Sequence, residues 1–315
     1  MMPAVVVVGS LNMDFVVSVD RLPVPGQTVL GSGFQMIPGG KGANQACAAG
    51  KLGAGGAAAV RLIGRVGYDV FADHLKASLA AAGVDVSAVH ATKSQPTGVA
   101  LIWVDRQGQN SIVVASGANC ALAAADVEAM RKVFRGASLA LFQLETPLDT
   151  VAAALALARE EGLRTMLDPA PAQPLPAALL ASVDILTPNE NEALMLLGRP
   201  PARVSPDEAP ELADALRKLG PRSAVLKLGD QGSYYCGDTG CFHTPAFPVE
   251  VRDATAAGDT FNAGLAVALA EGQPVERAVL FANAAAAISV TRMGAQASAP
   301  TRAEVDRLLR VAQQA

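Results

Sequence analysis

The run Ala4–Val8 holds five consecutive apolar residues, four of them valine, and closes on Gly9-Ser10. A segment that short, with β-branched side chains on both faces, predicts a strand buried on both sides, the pattern of a parallel sheet. Similar runs recur at Leu139–Phe142, Thr165–Leu167, Asp184–Leu186 and Ala224–Leu228. Helical periodicity lies between them over Leu148–Glu161, Glu190–Leu197 and Asp207–Lys218, with Ser205 and Glu208 spaced as a capping box before the last. Strand–helix alternation predicts an α/β chain whose mainly parallel sheet is covered by helices on both faces. The last third reads as helices over Ala257–Glu271, Pro274–Thr291 and Thr301–Gln314, where Thr301 and Glu304 form a second capping box.

Two regions break this alternation. Phe15–Val19 and Thr28–Met36 read as strands around a Pro/Gly turn, and Thr97–Val104 and Ser111–Ala115 as a hairpin around Asp105–Asn110. Four short strands are too few for a sandwich, so they predict a small β-sheet lid built from about 12–38 and 96–116. No repeat or second core interrupts the remainder, and the 315 residues read as one domain carrying that lid.

Composition narrows the partners. The net charge of -4 gives no general attraction for nucleic acid or an anionic membrane. No uncharged apolar stretch reaches about 18 residues, and no basic segment precedes the first apolar run, so a cytoplasmic location is expected. Cys47, Cys120, Cys236 and Cys241 form no C-x-x-C pair and do not cluster with His74, His90 or His243. Each is expected to be a small buried residue rather than part of a disulfide framework or zinc site.

Three segments carry chemistry. In Asp253-Ala254-Thr255-Ala256-Ala257-Gly258-Asp259, small residues precede a carboxylate at a predicted helix start. A helix N-terminus offers unpaired N–H groups, and small residues let a phosphate approach them. The amides of Ala256, Ala257 and Gly258 are thus candidates for stabilising a transferring phosphoryl group, with Asp259 beside them as base. Equally, Asp259 in that position complements the helix dipole, and from these residues alone both readings stand. The stretch Gly39-Gly40-Lys41-Gly42-Ala43-Asn44 opens another helix but is not a P-loop, because Gln35 stands where its first glycine belongs and Gly42 where Ser or Thr belongs. Its glycines suit close approach to a polyhydroxyl ligand, with Lys41 and Asn44 as donors. Asn12 and Asp14 follow the first strand, where open α/β sheets bind ligands; an Asx turn is the plain alternative. Glu145, Asn189–Glu192 and Gly229-Asp230-Gln231-Gly232 follow later strands in the same way, which points to a cleft along one sheet edge.

Taken in order with Gly64–Asp69, Asp168-Pro169-Ala170-Pro171, Thr187-Pro188-Asn189-Glu190 and Gly294-Ala295-Gln296, these segments closely resemble the ribokinase group of the PfkB-type carbohydrate kinase family over essentially the whole chain. The resemblance implies an αβα core with a β lid that closes over the sugar and often forms a homodimer interface. It implies ATP-dependent phosphorylation of D-ribose at the 5-hydroxyl, giving ribose 5-phosphate and ADP. Asn12, Met13, Asp14, Gly40, Lys41, Gly42, Ala43, Asn44, Glu145 and Asp259 correspond to sugar contacts, and Asp259 to the base. Asn189, Lys227, Leu228, Gly229, Asp230, Gln231, Gly232, Gly258 and Asn283 correspond to ATP contacts. Glu192 completes an Asn-x-x-Glu pattern associated with Mg²⁺ through water. Asp253, Thr255, Ser289, Arg292, Gly294 and Ser298 correspond to ligands of a monovalent cation, usually K⁺.

Three positions depart from that pattern: Lys227 where a small hydroxyl residue is common, Asn283 where a histidine can occur, and Asp168 where Asn is frequent. Related kinases of deoxyribose, a ketohexose, a 2-keto-3-deoxy sugar acid or a nucleoside are the alternatives, followed by a non-catalytic sugar-binding regulator. Two carboxylates among the sugar contacts favour a neutral polyol over an acid, and aromatics at 4% leave little for a base pocket.

Overall fold

The valine run forms β1 (Ala4–Val8), and its side chains divide by parity between two cores. Val5 and Val7 enter one cluster, Val6 and Val8 another on the opposite face. Each fully buried side chain of this kind contributes about 1.5–3 kcal/mol. The chain is seen here in a computed structural model that describes residues 3–55 and 58–314.

Chain order then runs β2 (Asn12–Val19), β3 (Gly31–Gly39), α1 (Lys41–Gly53), β4 (Ala59–Gly67), α2 (Val70–Ala81), β5 (Val84–Asp85), β6 (Val89–Thr92), β7 (Gly98–Val104) and β8 (Asn110–Ala115). The middle alternates α3 (Ala124–Ala129), β9 (Leu139–Phe142), α4 (Leu148–Glu160), β10 (Arg164–Leu167), α5 (Ala177–Leu180), β11 (Ile185–Leu186), α6 (Glu190–Leu196), α7 (Ala209–Arg217) and β12 (Ser223–Lys227). The chain ends with the hairpin β13 (Ser233–Gly237) and β14 (Gly240–Thr244), then α8 (Ala257–Ala270), α9 (Val275–Ser289) and α10 (Arg302–Ala312).

The main sheet has the order β14-β13-β12-β11-β10-β9-β1-β4-β5, with β6 also paired to β4. It is parallel from β12 through β5, and β13 and β14 extend it antiparallel. Helices α1, α2, α8 and α9 pack on one face and α3 to α7 on the other. The second sheet, β3-β2-β7-β8, is the small separate sheet expected of those four strands; its two antiparallel pairs join through a parallel β2–β7 contact. It leaves large apolar side chains exposed, among them Leu30, Phe34, Met36, Ile112 and Val113. No described helix is long and apolar enough to cross a membrane.

Several local expectations shift. Strand β2 begins at Asn12, so Asn12 and Asp14 lie in strand rather than in an Asx turn. Helix α7 begins at Ala209, because Ser205 and Glu208 close their own turn, Ser205 N donating to Glu208 Oε2 at 2.9 Å, ahead of the helix. The Thr301–Glu304 capping box forms as read. The cysteine expectation fails at three of four positions. Cys236 and Cys241 face each other across β13–β14 and are joined by a disulfide, and Cys120 is exposed. That pairing depends on a hairpin register that sequence spacing did not reveal. Only Cys47 is a buried free thiol.

Asp69 ties the lid to the core. It caps α2 by accepting from Ala72 N at 3.2 Å, and it accepts from Thr97 N at 2.8 Å and Thr97 Oγ1 at 2.7 Å just before β7. Asp69→Ala should lower unfolding free energy by about 0.5–2 kcal/mol, the usual cost of a lost cap, as measured by urea denaturation.

Candidate active site

Strand order reverses at β1, whose sheet neighbours are β4 on one side and β9 on the other. Such a switch point opens a crevice beyond the carboxyl ends of the strands. The segments after β1, β9, β10, β11 and β12 all emerge there, bringing Asp14, Glu145, Asp168, Asn189 and Lys227 to one side of the sheet.

Asp259 lies in the first turn of α8 and is buried. Gln45 Nε2 donates to its Oδ1 at 2.9 Å, and Asn44 Nδ2 to its Oδ2 at 3.1 Å. Burial raises its pKa to about 6; Lys41 and the two amide donors oppose that rise, and the Asp168 charge adds to it. The residue before the helix, Ala256, sits at φ 58°, in the left-handed region where a Cβ costs about 1–2 kcal/mol. Ala257 N donates back to Ala254 O at 3.2 Å. The N–H groups of Ala256, Gly258 and Asp259 have no partner among the described residues, so three donors remain for an anion beside the carboxylate, while the Ala257 amide expected among them is spent.

The N-terminus of α1 is different, because protein groups consume its amides. Lys41 N donates to Glu145 Oε2 at 3.0 Å, Gly42 N to Ser10 Oγ at 3.2 Å and Ala43 N to Ser10 O at 2.8 Å. Ser10 Oγ in turn donates to Glu145. This end is therefore a platform that presents side chains, not an anion hole. Lys41 is held firmly protonated: burial works against its charge, but Asp259, Asp168, Glu145 and Glu192 outweigh it.

Asp14 lies against Gly39, where a Cβ would stand 2.0 Å from its Oδ2. Burial, then the Glu145 and Asp259 charges, raise its pKa to about 7. Asn12 Oδ1 accepts from Asn119 Nδ2 at 2.7 Å, which fixes the amide's orientation. Met13 and Ala43 were expected among sugar contacts, but both side chains are buried in the core. Strand alternation turns Met13 away from Asn12 and Asp14, so these two positions offer only backbone.

Where the ATP contacts are expected, a cleft of about 340 Å³ is lined by Lys227, Gly229, Asp230, Gly232, Gly258 and Asn283 with the apolar Phe247, Val249 and Val251. Leu228 is buried in the core and offers backbone alone. Gln231 turns away, its Nε2 donating to Val204 O at 2.9 Å, and Asp230 pairs with Arg203 at 2.7 Å. Asn283 Nδ2 donates to Thr244 O at 3.1 Å. Both Glu192 oxygens accept from Asn189, from its N at 2.7 Å and its Nδ2 at 2.8 Å, as the capping box of α6. Burial raises the Glu192 pKa, with Lys227 opposing.

The residues matched to a monovalent cation come from the segment before α8, the last residue of α9 and the segment after it. Asp253 Oδ1 accepts from Thr255 N at 2.9 Å and its Oδ2 from Gly294 N at 2.8 Å, which joins the segment before α8 to the one after α9. Ser289 and Ser298 are fully buried, and Arg292 pairs with Glu304. No group of three or more His, Cys, Asp or Glu that could hold a metal occurs among the described residues. An all-oxygen set with the single carboxylate Asp253 fits a large, weakly charged cation better than a transition metal.

Sequence reasoning missed Ser10, Gln45, Asn119 and Gln143. Gln45 had a signal, since it lies four residues after Lys41 and so shares its helix face. Asn119 and Gln143 had none, because their partners are about a hundred residues away.

The sequence matches the pfkB family carbohydrate kinase description over residues 2–302. It is 40% identical to a ribokinase of Haemophilus influenzae, covering 95% of each chain, and 41% identical to one of Bacillus subtilis, covering 96% of this chain and 98% of the other. A deoxyribokinase of Salmonella typhi is 32% identical over 94% of this chain and 95% of its own. The structure of an Arabidopsis thaliana ribokinase complexed with ribose and ATP matches with a TM-score of 0.88 at 35% identity, covering 98% of this chain and 99% of that one. With that match spanning nearly the whole chain, and a buried carboxylate set beside unpaired helix-start amides, this protein belongs to the pfkB family of carbohydrate kinases.

Proposed function

We propose that the protein transfers the γ-phosphoryl group of ATP to the 5-hydroxyl of D-ribose, with Asp259 as base. The observation that carries this reading is the position of Asp259. It is buried, oriented by Gln45 and Asn44, and adjacent to the free amides of Ala256, Gly258 and Asp259. Asp14, Lys41, Asn44 and Glu145 orient the sugar hydroxyls, and Asn12 does so from its fixed rotamer. As the phosphoryl group leaves ATP, Asp259 accepts the hydroxyl proton while the α8 amides hold the oxygens. Lid closure excludes water, which limits hydrolysis.

Mg²⁺, when bound with ATP, screens the phosphate charge. Glu192, committed to Asn189 by both oxygens, would reach it through water. K⁺ or a similar cation would be held by Asp253, Thr255, Ser289, Arg292, Gly294 and Ser298, several through backbone carbonyls, and would keep the Ala256 loop in place. The chain acts as one kinase unit with its lid at 12–38 and 96–116. The exposed apolar lid side chains support a homodimer across that sheet, and the reading places the enzyme in the cytoplasm.

The test is an ADP-release assay with MgATP and ribose, deoxyribose, fructose, 2-keto-3-deoxygluconate or adenosine, each with and without K⁺. Ribose should give the highest kcat/KM, and K⁺ should raise it. Preference for deoxyribose would move the assignment to that sugar. Absence of turnover with intact ribose binding would favour a non-catalytic sugar-binding protein.

A further inference from the structure

Lys227 stands where two clefts meet. It lines the nucleotide cleft, and it also lines a polar cleft of about 370 Å³ that contains Lys41, Asp168, Glu192 and Asp259. Its Nζ lies 3.5 Å from where a Cβ on Gly258 would stand, so the ammonium is next to the α8 donors. It pairs with Asp168 Oδ1 at 2.8 Å, and both side chains are largely buried.

Asp168 is committed at both oxygens. Its Oδ2 accepts from Gln45 Nε2 at 2.8 Å, and the same nitrogen donates to Asp259 Oδ1 at 2.9 Å. Gln45 Oε1 accepts from Gln143 Nε2 at 2.6 Å, which fixes the amide so that its nitrogen faces the two carboxylates. Asp168 is thereby held in place by a fully buried amide pair, whereas Lys227 is held to Asp168 by a single ion pair on a flexible stem. Of the two partners, Lys227 is the one free to move.

We propose that Asp168 is a positioning residue that acts through Lys227: it holds the ammonium beside the Gly258 donors in the empty site and yields it to the terminal phosphates of the incoming nucleotide. Asp168 thus sets nucleotide affinity by competing with phosphate for one cation. It also keeps that cation from pairing directly with Asp259, whose two oxygens stay with neutral amides. This rests on the kinase reading above, because it requires ATP phosphates at the start of α8.

Competition has a signature that a structural ion pair lacks. Losing either partner of a structural pair weakens the site, because the other charge is left buried. Under competition the two losses act in opposite directions. Calorimetric titration of a non-hydrolysable ATP analogue with Mg²⁺, without sugar, should give a Kd lowered roughly tenfold for Asp168→Asn and raised roughly tenfold for Lys227→Met, on the scale of one charge-assisted hydrogen bond. AMP, which lacks the terminal phosphates, should shift for neither variant. If Lys227→Met folds poorly, Asp168→Asn with Lys227→Met removes both charges and should bind the analogue more weakly than Asp168→Asn alone.

Weaker analogue binding in Asp168→Asn would overturn the proposal, as would equal shifts for AMP. A double variant that binds as tightly as Asp168→Asn would also overturn it, since Lys227 would then contribute nothing. Wild-type protein with no affinity for the analogue would overturn the kinase reading together with this one.

Discussion

Asp259→Asn should keep ribose binding and lose about 10²–10⁴-fold in kcat, the range for removing a positioned general base. The substitution conserves shape and leaves the sugar platform on α1 untouched, but asparagine cannot accept the hydroxyl proton. One amide oxygen also replaces two carboxylate oxygens that Gln45 and Asn44 now share, so one donor loses its partner. The pH profile gives a second readout. The base form of Asp259 is the carboxylate, and its pKa is raised to about 6, so kcat/KM should fall as pH drops through that value. Asp14, raised to about 7, adds a second acid-side limb if its carboxylate must accept a sugar hydroxyl. Asp14→Asn should remove the limb near 7 and keep the one near 6. Near-normal kcat in Asp259→Asn would remove it from the role of base.

Gly42→Ala should have the largest effect outside the base. An added Cβ would stand 2.5 Å from Ser10 N, 2.6 Å from Gly9 C and 2.7 Å from Gly9 Cα. All three are backbone atoms of the turn leaving β1, so no side chain can swing aside. Relief requires moving α1 away from that turn. The bonds from the Lys41, Gly42 and Ala43 amides to Glu145 and Ser10 then lengthen together. Overpacking of this kind costs about 1–3 kcal/mol. Because Lys41, Asn44 and Gln45 ride on the same helix, misplacing them by about 1 Å should also cost on the order of 10²-fold in kcat/KM. Chemical denaturation and steady-state turnover check the two halves separately. Wild-type values in both would mean that α1 is not seated as tightly as these distances imply.

The two substitutions reach the site by different routes. Asp259→Asn removes a chemical group and leaves the geometry intact. Gly42→Ala keeps every functional group and displaces the element that carries three of them. Backbone displacement is therefore expected for the second, whereas the first loses a single side-chain hydrogen bond.

Much of the fold was legible because its signals are local. The β1, β9 and β12 runs are short, apolar and bounded by Gly or polar residues, and α8 to α10 carry sustained helical periodicity. Strand β4 escaped because Arg61 and Arg65 interrupt its apolar pattern, although both are held by partners or partly buried. The β13–β14 hairpin escaped because a Tyr-Tyr-Cys strand followed by Gly-Asp-Thr-Gly offers little alternation, and the disulfide was lost with it. Asp259 and its small-residue approach were readable as a helix start, since capping chemistry is set by neighbours in sequence.

What the sequence determined by itself was the parallel core, the lid, the helix start bearing Asp259 and, through resemblance, the kinase family. Tertiary structure decided which helix end keeps its amides unpaired. The α1 amides are spent on Ser10 and Glu145, while those of Ala256, Gly258 and Asp259 remain free among the described residues. It also decided that Asp168 and Lys227, which read as two separate departures, form one ion pair linked through Gln45 to the base. The reason is physical: a hydrogen bond or ion pair between residues 59 to 214 positions apart leaves no periodic trace in the chain. Only the parallel sheet, by bringing successive strand ends to one edge, puts those groups within 3 Å of each other.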